Sequence, residues 1–266
     1  MSVIENALSR SREQRAADDS AARRTTPSQP SGPAPPALQL PNLALDPAVL
    51  ERNCVLPQVT DRSALRAYKI LRTRLLQRLA AKNWRSLAVT STKAGEGKTL
   101  TTINLAVALS QEPNTRVCLV DFDLQRPAVA TNLGIRLERG LAEYLLGEAA
   151  FEQVIYECGS PSLLVMANNR VFDHSSEMLA SARVQELLRL INTHLPNHLV
   201  IFDMPPLSSD DVLTFAPRVD GVLLVIAEGR TERAALEKYK ELLAEMNILG
   251  VVLNHSAERD DGLAYY

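Results

Sequence analysis

This chain of 266 residues lacks the usual marks of a membrane, metal or disulfide protein. It has no run of about 18 uncharged apolar residues, and its first fifteen residues lack the apolar core of a secretory signal. The sequence therefore predicts a cytoplasmic protein that reaches a membrane only through a partner. Cys54, Cys118 and Cys158 are too far apart for a ligand or redox pair and read as isolated reduced thiols. His174, His194, His198 and His255 show no ligand spacing. Charge of one sign is also missing overall, since the formal net charge is -2. The chain as a whole is thus no polyanion binder.

Charge is nevertheless unevenly spread. Residues 61–97 carry nine basic against two acidic side chains, while residues 98–266 carry 14 against 23. A basic segment followed by an acidic body favours head-to-tail contact between copies, weakened by salt. Before them, residues 1–56 mix charge and serine with seven prolines between Pro27 and Pro47, and read as a disordered arm.

From Asp61 the pattern becomes helical over 61–82, with Leu65, Tyr68, Arg72, Leu75, Leu76 and Leu79 at spacings of three and four. Its other face carries Arg62, Arg66, Lys69, Arg74, Arg78 and Lys82. A solvated face and a docking face for an acidic surface both fit that stripe. After Ser86, six apolar β-branched runs alternate with helical stretches, at SLAVTS, RVCLVDFD, SLLVMAN, HLVIFDMPP, GVLLVIAEG and ILGVVLNHS. Helices are expected at 101–110, 181–193 and 233–246. Runs apolar on both faces predict an α/β domain with a mostly parallel central sheet between two helical layers, over residues 57–258, with a flexible tail at 259–266.

The stretch LAVTSTKAGEGKTLTT runs from a strand through Lys93, Ala94, Gly95, Glu96 and Gly97 to Lys98, Thr99 and Leu100 at the start of a helix. Glycines let successive N–H groups turn towards phosphates, and the helix adds its positive end. Lys98 would neutralise phosphate oxygens of ATP, and Thr99 Oγ1 would ligate Mg²⁺. The first position of a strict P-loop is glycine, and here it is Thr92. A phosphate cradle also needs carboxylates at nearby strand ends, and Asp121 and Asp123 end one run while Asp203, before Pro205 and Pro206, ends another. The order of P-loop, Asp-x-Asp and Asp-x-Pro-Pro is the specific signal.

Lys93, five residues before Lys98, makes the loop resemble the deviant P-loop of the MinD/ParA group, in which an added lysine reaches a dimer neighbour's nucleotide. A solvent-facing loop lysine is the plain alternative. Taken with VDGVLLVIAEGRT, SSEMLAS and VVLNHS followed by terminal tyrosines, residues 60–266 resemble the bacterial tyrosine autokinases of capsular and exopolysaccharide biosynthesis. The resemblance implies a MinD/ParA-like P-loop fold and ATP-dependent phosphorylation in trans of Tyr265 and Tyr266. It implies that Lys98 holds phosphates, Thr99 and Asp203 hold Mg²⁺, Asp121 and Asp123 position metal and hydroxyl, and Asn254 contacts the purine. Asp121 is the expected acceptor of the phenolic proton.

It further implies a homo-oligomer or ATP-dependent dimer, and a membrane-bound polysaccharide co-polymerase of Wzz type that recruits and activates the kinase at the inner face of the plasma membrane. The chain departs from the family in having only two terminal tyrosines, and in presenting Arg66, Lys69 and Arg72 where relatives carry a Glu-x-x-Arg-x-x-Arg assembly motif. Two other readings stay open on sequence alone. One is a MinD/ParA-type switch ATPase without transfer to protein. The other is a nucleic-acid-binding regulator using the basic helix, although no second basic face accompanies it and no nucleic acid is expected.

Overall fold

The computed structural model describes residues 40–256. Strands β2 (Ser86–Ser91), β3 (Arg116–Asp121), β6 (His198–Asp203) and β7 (Gly221–Ala227) are buried almost throughout, as runs apolar on both sides require. With β1 (Asn42–Leu43), β4 (Tyr156–Cys158), β5 (Leu163–Met166) and β8 (Ile248–Asn254) they form one eight-stranded sheet in the order β1-β4-β5-β3-β6-β2-β7-β8. All neighbours are parallel except β4 and β5. The expected fold class is the observed one.

Between the strands run α1 (Pro47–Arg52), α2 (Arg62–Lys82), α3 (Lys98–Ser110), α4 (Val129–Leu133), α5 (Leu141–Leu145), α6 (Ser175–Ala180), α7 (Ala182–His194), α8 (Asp210–Phe215), α9 (Arg233–Lys238) and α10 (Lys240–Glu245). One core joins Leu75 and Leu79 of α2 and Ile103 and Leu105 of α3 to one face of the sheet. Leu187 and Ile191 of α7 and Phe215 of α8 join the core on the other face, where Phe122, Phe202 and Phe215 cluster with ring centroids 4.8–5.2 Å apart. Among the described residues no helix is long and apolar enough to cross a membrane, and Cys54, Cys118 and Cys158 are free.

The arm expected at 1–56 ends earlier than that boundary. Residues 1–39 lie outside the described residues, but 40–56 are folded onto the domain. β1 pairs with β4, the Asp46 side chain caps α1 by accepting the Ala48 N–H at 2.9 Å, and Leu50, Val55 and Leu56 are buried. Asn104, buried on α3, holds the segment through its Oδ1 to the Leu56 N–H (2.7 Å) and its Nδ2 to the Cys54 carbonyl (3.0 Å). Proline density suggested disorder, yet Pro47 sits at the first turn of α1, where no N–H is needed.

The basic helix α2 runs from its Asp61 cap to Asn83, which closes it at φ 55°. Arg72 does not belong to the solvated stripe. It pairs with Glu112 and donates to the Ala108 carbonyl, clamping α2 to the end of α3. Arg78 donates to the Leu249 carbonyl of β8. The single helix expected at 233–246 is broken at Tyr239 into α9 and α10, neither of which has a buried residue.

Candidate active site

Parallel pairing brings the functional strand ends together. Register sets Asp121 of β3 against Asp203 of β6, and Asp203 against Val89 of β2, two residues before the loop. Neighbouring strands lie about 4.8 Å apart, so Asp203 stands beside the base of the loop between Ser91 and Lys98, and Asp121 stands one strand further on.

That loop is braced by a buried carboxylate. Glu96 is 2% exposed. Its Oε2 accepts the N–H groups of Thr92 (2.7 Å) and Lys93 (3.0 Å), and its Oε1 accepts the hydroxyls of Thr92 (2.7 Å) and Thr231 (2.5 Å). Thr92 therefore fills the position of the missing glycine with a useful hydroxyl, and its φ is not in the left-handed region. Gly95 and Gly97 are in that region, at φ 84° and 86°. At Gly97 a Cβ would also lie 2.1 Å from Asn254 Nδ2 and would force that side chain to move. The Asn254 side chain donates to the Glu96 carbonyl at 3.0 Å, tying the end of β8 to the loop.

Lys98 opens α3 and reaches Asp123 Oδ2 at 2.6 Å and Thr99 Oγ1 at 3.2 Å. Thr99 Oγ1 donates to Asp203 Oδ2 at 2.7 Å, and Thr102 Oγ1 approaches Asp203 Oδ1 at 3.2 Å. Asp121 Oδ2 accepts the N–H groups of Ala128 and Val129 at 3.2 and 3.1 Å, while its Oδ1 is buried without a hydrogen bond. Burial, with Asp203 next in size, pushes the Asp121 carboxyl well above the usual carboxylate range. Burial also raises Asp203, against the opposing pull of Lys98 and Thr99. For Lys98, burial works against its charge, but Asp203 and Asp123 outweigh it and raise its pKa.

Three buried carboxylates facing one ammonium leave negative charge that a divalent cation would offset. Thr99 Oγ1 and Asp203 Oδ2 are oxygen donors of the kind Mg²⁺ takes. Among the described residues no group of three or more acidic, His or Cys side chains is arranged to hold a metal alone.

Above this floor opens a cleft of about 840 Å³, roomy enough for a nucleoside triphosphate. Of the residues expected to bind nucleotide, Ala94, Gly95, Gly97, Lys98, Thr99 and Leu100 line it, as does Asp123. Asp121, Asp203, Glu96 and Asn254 do not. The first two lie beneath the cleft, and the last two act as loop braces. Lys93 points along the surface, where its Nζ pairs with Glu232 Oε1 at 3.0 Å. Tyr265 and Tyr266 lie outside the described residues.

The far wall contains groups to which the sequence assigned no individual role, among them Gln125 and Ser175, the first residue of the SSEMLAS stretch. Ser209 caps α8, accepting the Asp211 N–H at 3.3 Å. Asp211 is buried on the cleft wall. Thr231, which follows β7, completes the Glu96 brace with its hydroxyl.

Residues 83–261 match the ParA family model, described as NUBPL iron-transfer P-loop NTPase. The tyrosine-protein kinase YwqD of Bacillus subtilis is 31% identical over 210 residues, covering 77% of this chain and 86% of that protein. The succinoglycan biosynthesis transport protein ExoP of Rhizobium meliloti is 29% identical over 184 residues, covering 67% of this chain and 23% of that protein. Among solved structures, the kinase domain of the Escherichia coli tyrosine kinase ETK is similar at a TM-score of 0.67 and 30% identity, covering 76% of this chain and 80% of that one.

Proposed function

The chain belongs to the bacterial tyrosine kinases of the ParA-like P-loop class, and from that premise we propose that it transfers the γ-phosphate of Mg-ATP to tyrosines of a neighbouring copy. The transfer would regulate exopolysaccharide or capsule synthesis and export, a reading supported by the relative ExoP, which is named for succinoglycan biosynthesis transport. The observation that carries the reading is the bonding of half-buried Lys98 and Thr99 to buried Asp123 and Asp203 at an open cleft.

In this reading Lys98 and the amides of Gly95 to Thr99 hold the β- and γ-phosphates. Thr99 and Asp203 would hold Mg²⁺, which would supply charge neutralisation for the phosphates. The incoming phenolic oxygen bonds to Pγ as the bond from Pγ to the bridging oxygen breaks, and ADP leaves. The phenolic proton passes to a carboxylate late in the step, because a phenol has a pKa of about 10. Asp123 lies on the cleft wall and is the nearer candidate to receive it. Asp121, buried beside Asp203, positions the segment after β3 by accepting the N–H groups of Ala128 and Val129.

Tyr265 and Tyr266 are the proposed acceptors, and a Wzz-like membrane co-polymerase is the proposed activator that brings the kinase to the inner face of the plasma membrane. A phosphotyrosine blot after incubation with Mg-ATP tests the acceptor assignment. Signal is expected from the wild type and not from Tyr265→Phe/Tyr266→Phe; an equal signal from both would reject those two tyrosines.

A further inference from the structure

The far wall of the cleft contains a hydrogen-bond relay whose direction is determined at one end. Asp211 is 1% exposed, and its Oδ1 accepts the Ser175 hydroxyl at 2.9 Å. A carboxylate only accepts, so Ser175 must spend its single proton there. Ser175 Oγ is then left as an acceptor, and Gln125 Nε2 donates to it at 2.9 Å, with a longer approach of 3.4 Å to Ser209 Oγ. The amide of Gln125 is thereby oriented. Its NH₂ group faces the wall, and its Oε1 receives no hydrogen bond from the described residues.

Gln125 is exposed and lines the cleft. It stands two residues after Asp123, hence within about 7 Å of it along the chain. Ser175 is 2% exposed, and Asp211 Oδ2 is buried without a partner, so the relay is held by burial as well as by its bonds. Asp123, Gln125, Ser175 and Asp211 all line the one cleft, which places the relay in the same cavity as the reacting end.

We propose that Gln125 Oε1 docks the acceptor segment by taking the main-chain N–H of the incoming tyrosine residue, with Ser175 and Asp211 as positioning residues that keep the amide turned to present it. The inference rests on the tyrosine-transfer reading above. The phenolic hydroxyl itself is the poorer match for Gln125, because an amide oxygen is not basic enough to take its proton and the hydroxyl must face a carboxylate to react. Water carries no main-chain N–H, so the contact favours transfer to tyrosine over hydrolysis.

The test uses full-length kinase with full-length Lys98→Met protein as acceptor, measuring transfer against acceptor concentration and ATP hydrolysis in parallel. Gln125→Ala should raise the KM for the acceptor protein about five- to tenfold with kcat little altered, as for loss of one hydrogen bond made equally in ground and transition states. The ratio of transfer to hydrolysis at low acceptor should fall by the same factor. Ser175→Ala should act in the same direction, and Ser175→Thr, which keeps the hydroxyl, should restore most of the KM. A fall in kcat at constant KM, or equal falls in transfer and hydrolysis, would overturn the assignment. Absence of tyrosine transfer by the wild type would instead reject the kinase reading, a result distinct from either.

Discussion

At the scale of single residues, the floor of the cleft trades stability for function. Asp121 is fully buried, and its carboxyl is pushed up by burial and then by Asp203. A carboxyl whose folded pKa is raised costs nothing below its ordinary value near 3.8, and its ionisation penalises the folded state as pH climbs through the folded pKa. Asparagine can keep an oxygen for the Val129 N–H without the charge. Asp121→Asn should therefore melt about 2–4 °C above the wild type at pH 8 without nucleotide, by a margin that shrinks towards pH 4, while transfer falls at least tenfold. Thermal melts across pH check this, and a margin that stays flat or reverses would contradict it. Lys98, Thr99, Asp121, Asp123 and Asp203 were legible because each sits at a fixed offset from a strand end. Glu96 and Asn254 brace the loop, a role that the sequence did not reveal. Their place near the phosphates was readable, but their bonding to the loop depends on contacts from β7 and β8 that spacing does not carry.

At the scale of elements, runs such as HLVIFD and GVLLVIA read correctly because a strand buried on both faces leaves no polar position to confuse the pattern. β1 and β4 went unread, being two and three residues long and defined by their partners rather than by periodicity. The same limit hid α1, whose six residues lie in proline-rich sequence. Leu50, 3% exposed in α1, separates the disordered-arm reading from the folded one. Leu50→Ala should cost about 2–4 kcal/mol in urea unfolding, as a buried leucine truncation does, whereas a disordered arm predicts no change. Thr92 shows how a motif can depart from its pattern at no loss. With an ordinary φ there and Glu96 to bond, a hydroxyl is worth more than glycine's freedom.

At the scale of the whole molecule, the strand order could not be read from the sequence, although the parallel α/β class could. β6 inserts between β3 and β2, and that insertion sets Asp203 beside both Asp121 and the P-loop. The division between a basic segment and an acidic body also acts at this scale, but it is thinner than the count suggests, since Arg72 and Arg78 are already engaged within the chain. Arg62, Lys69 and Arg74 are left as the proposed contact with the acidic body of the next copy. Sedimentation with Mg-ATP should show assembly that weakens between about 50 and 500 mM salt, and a salt-independent monomer would contradict that contact. Phosphate on a tail that already holds Glu258, Asp260 and Asp261 adds about -1.5 to -2 charges per tyrosine, so phosphorylation should oppose assembly.

The central claim is that the γ-phosphate held by Lys98 passes to protein and not only to water. Intact mass after incubation with Mg-ATP tests it most directly, on wild type and Lys98→Met side by side. The account predicts a gain of about 80 Da per phosphate in the wild type and none in the variant; an unchanged wild-type mass while ATP is consumed would contradict it.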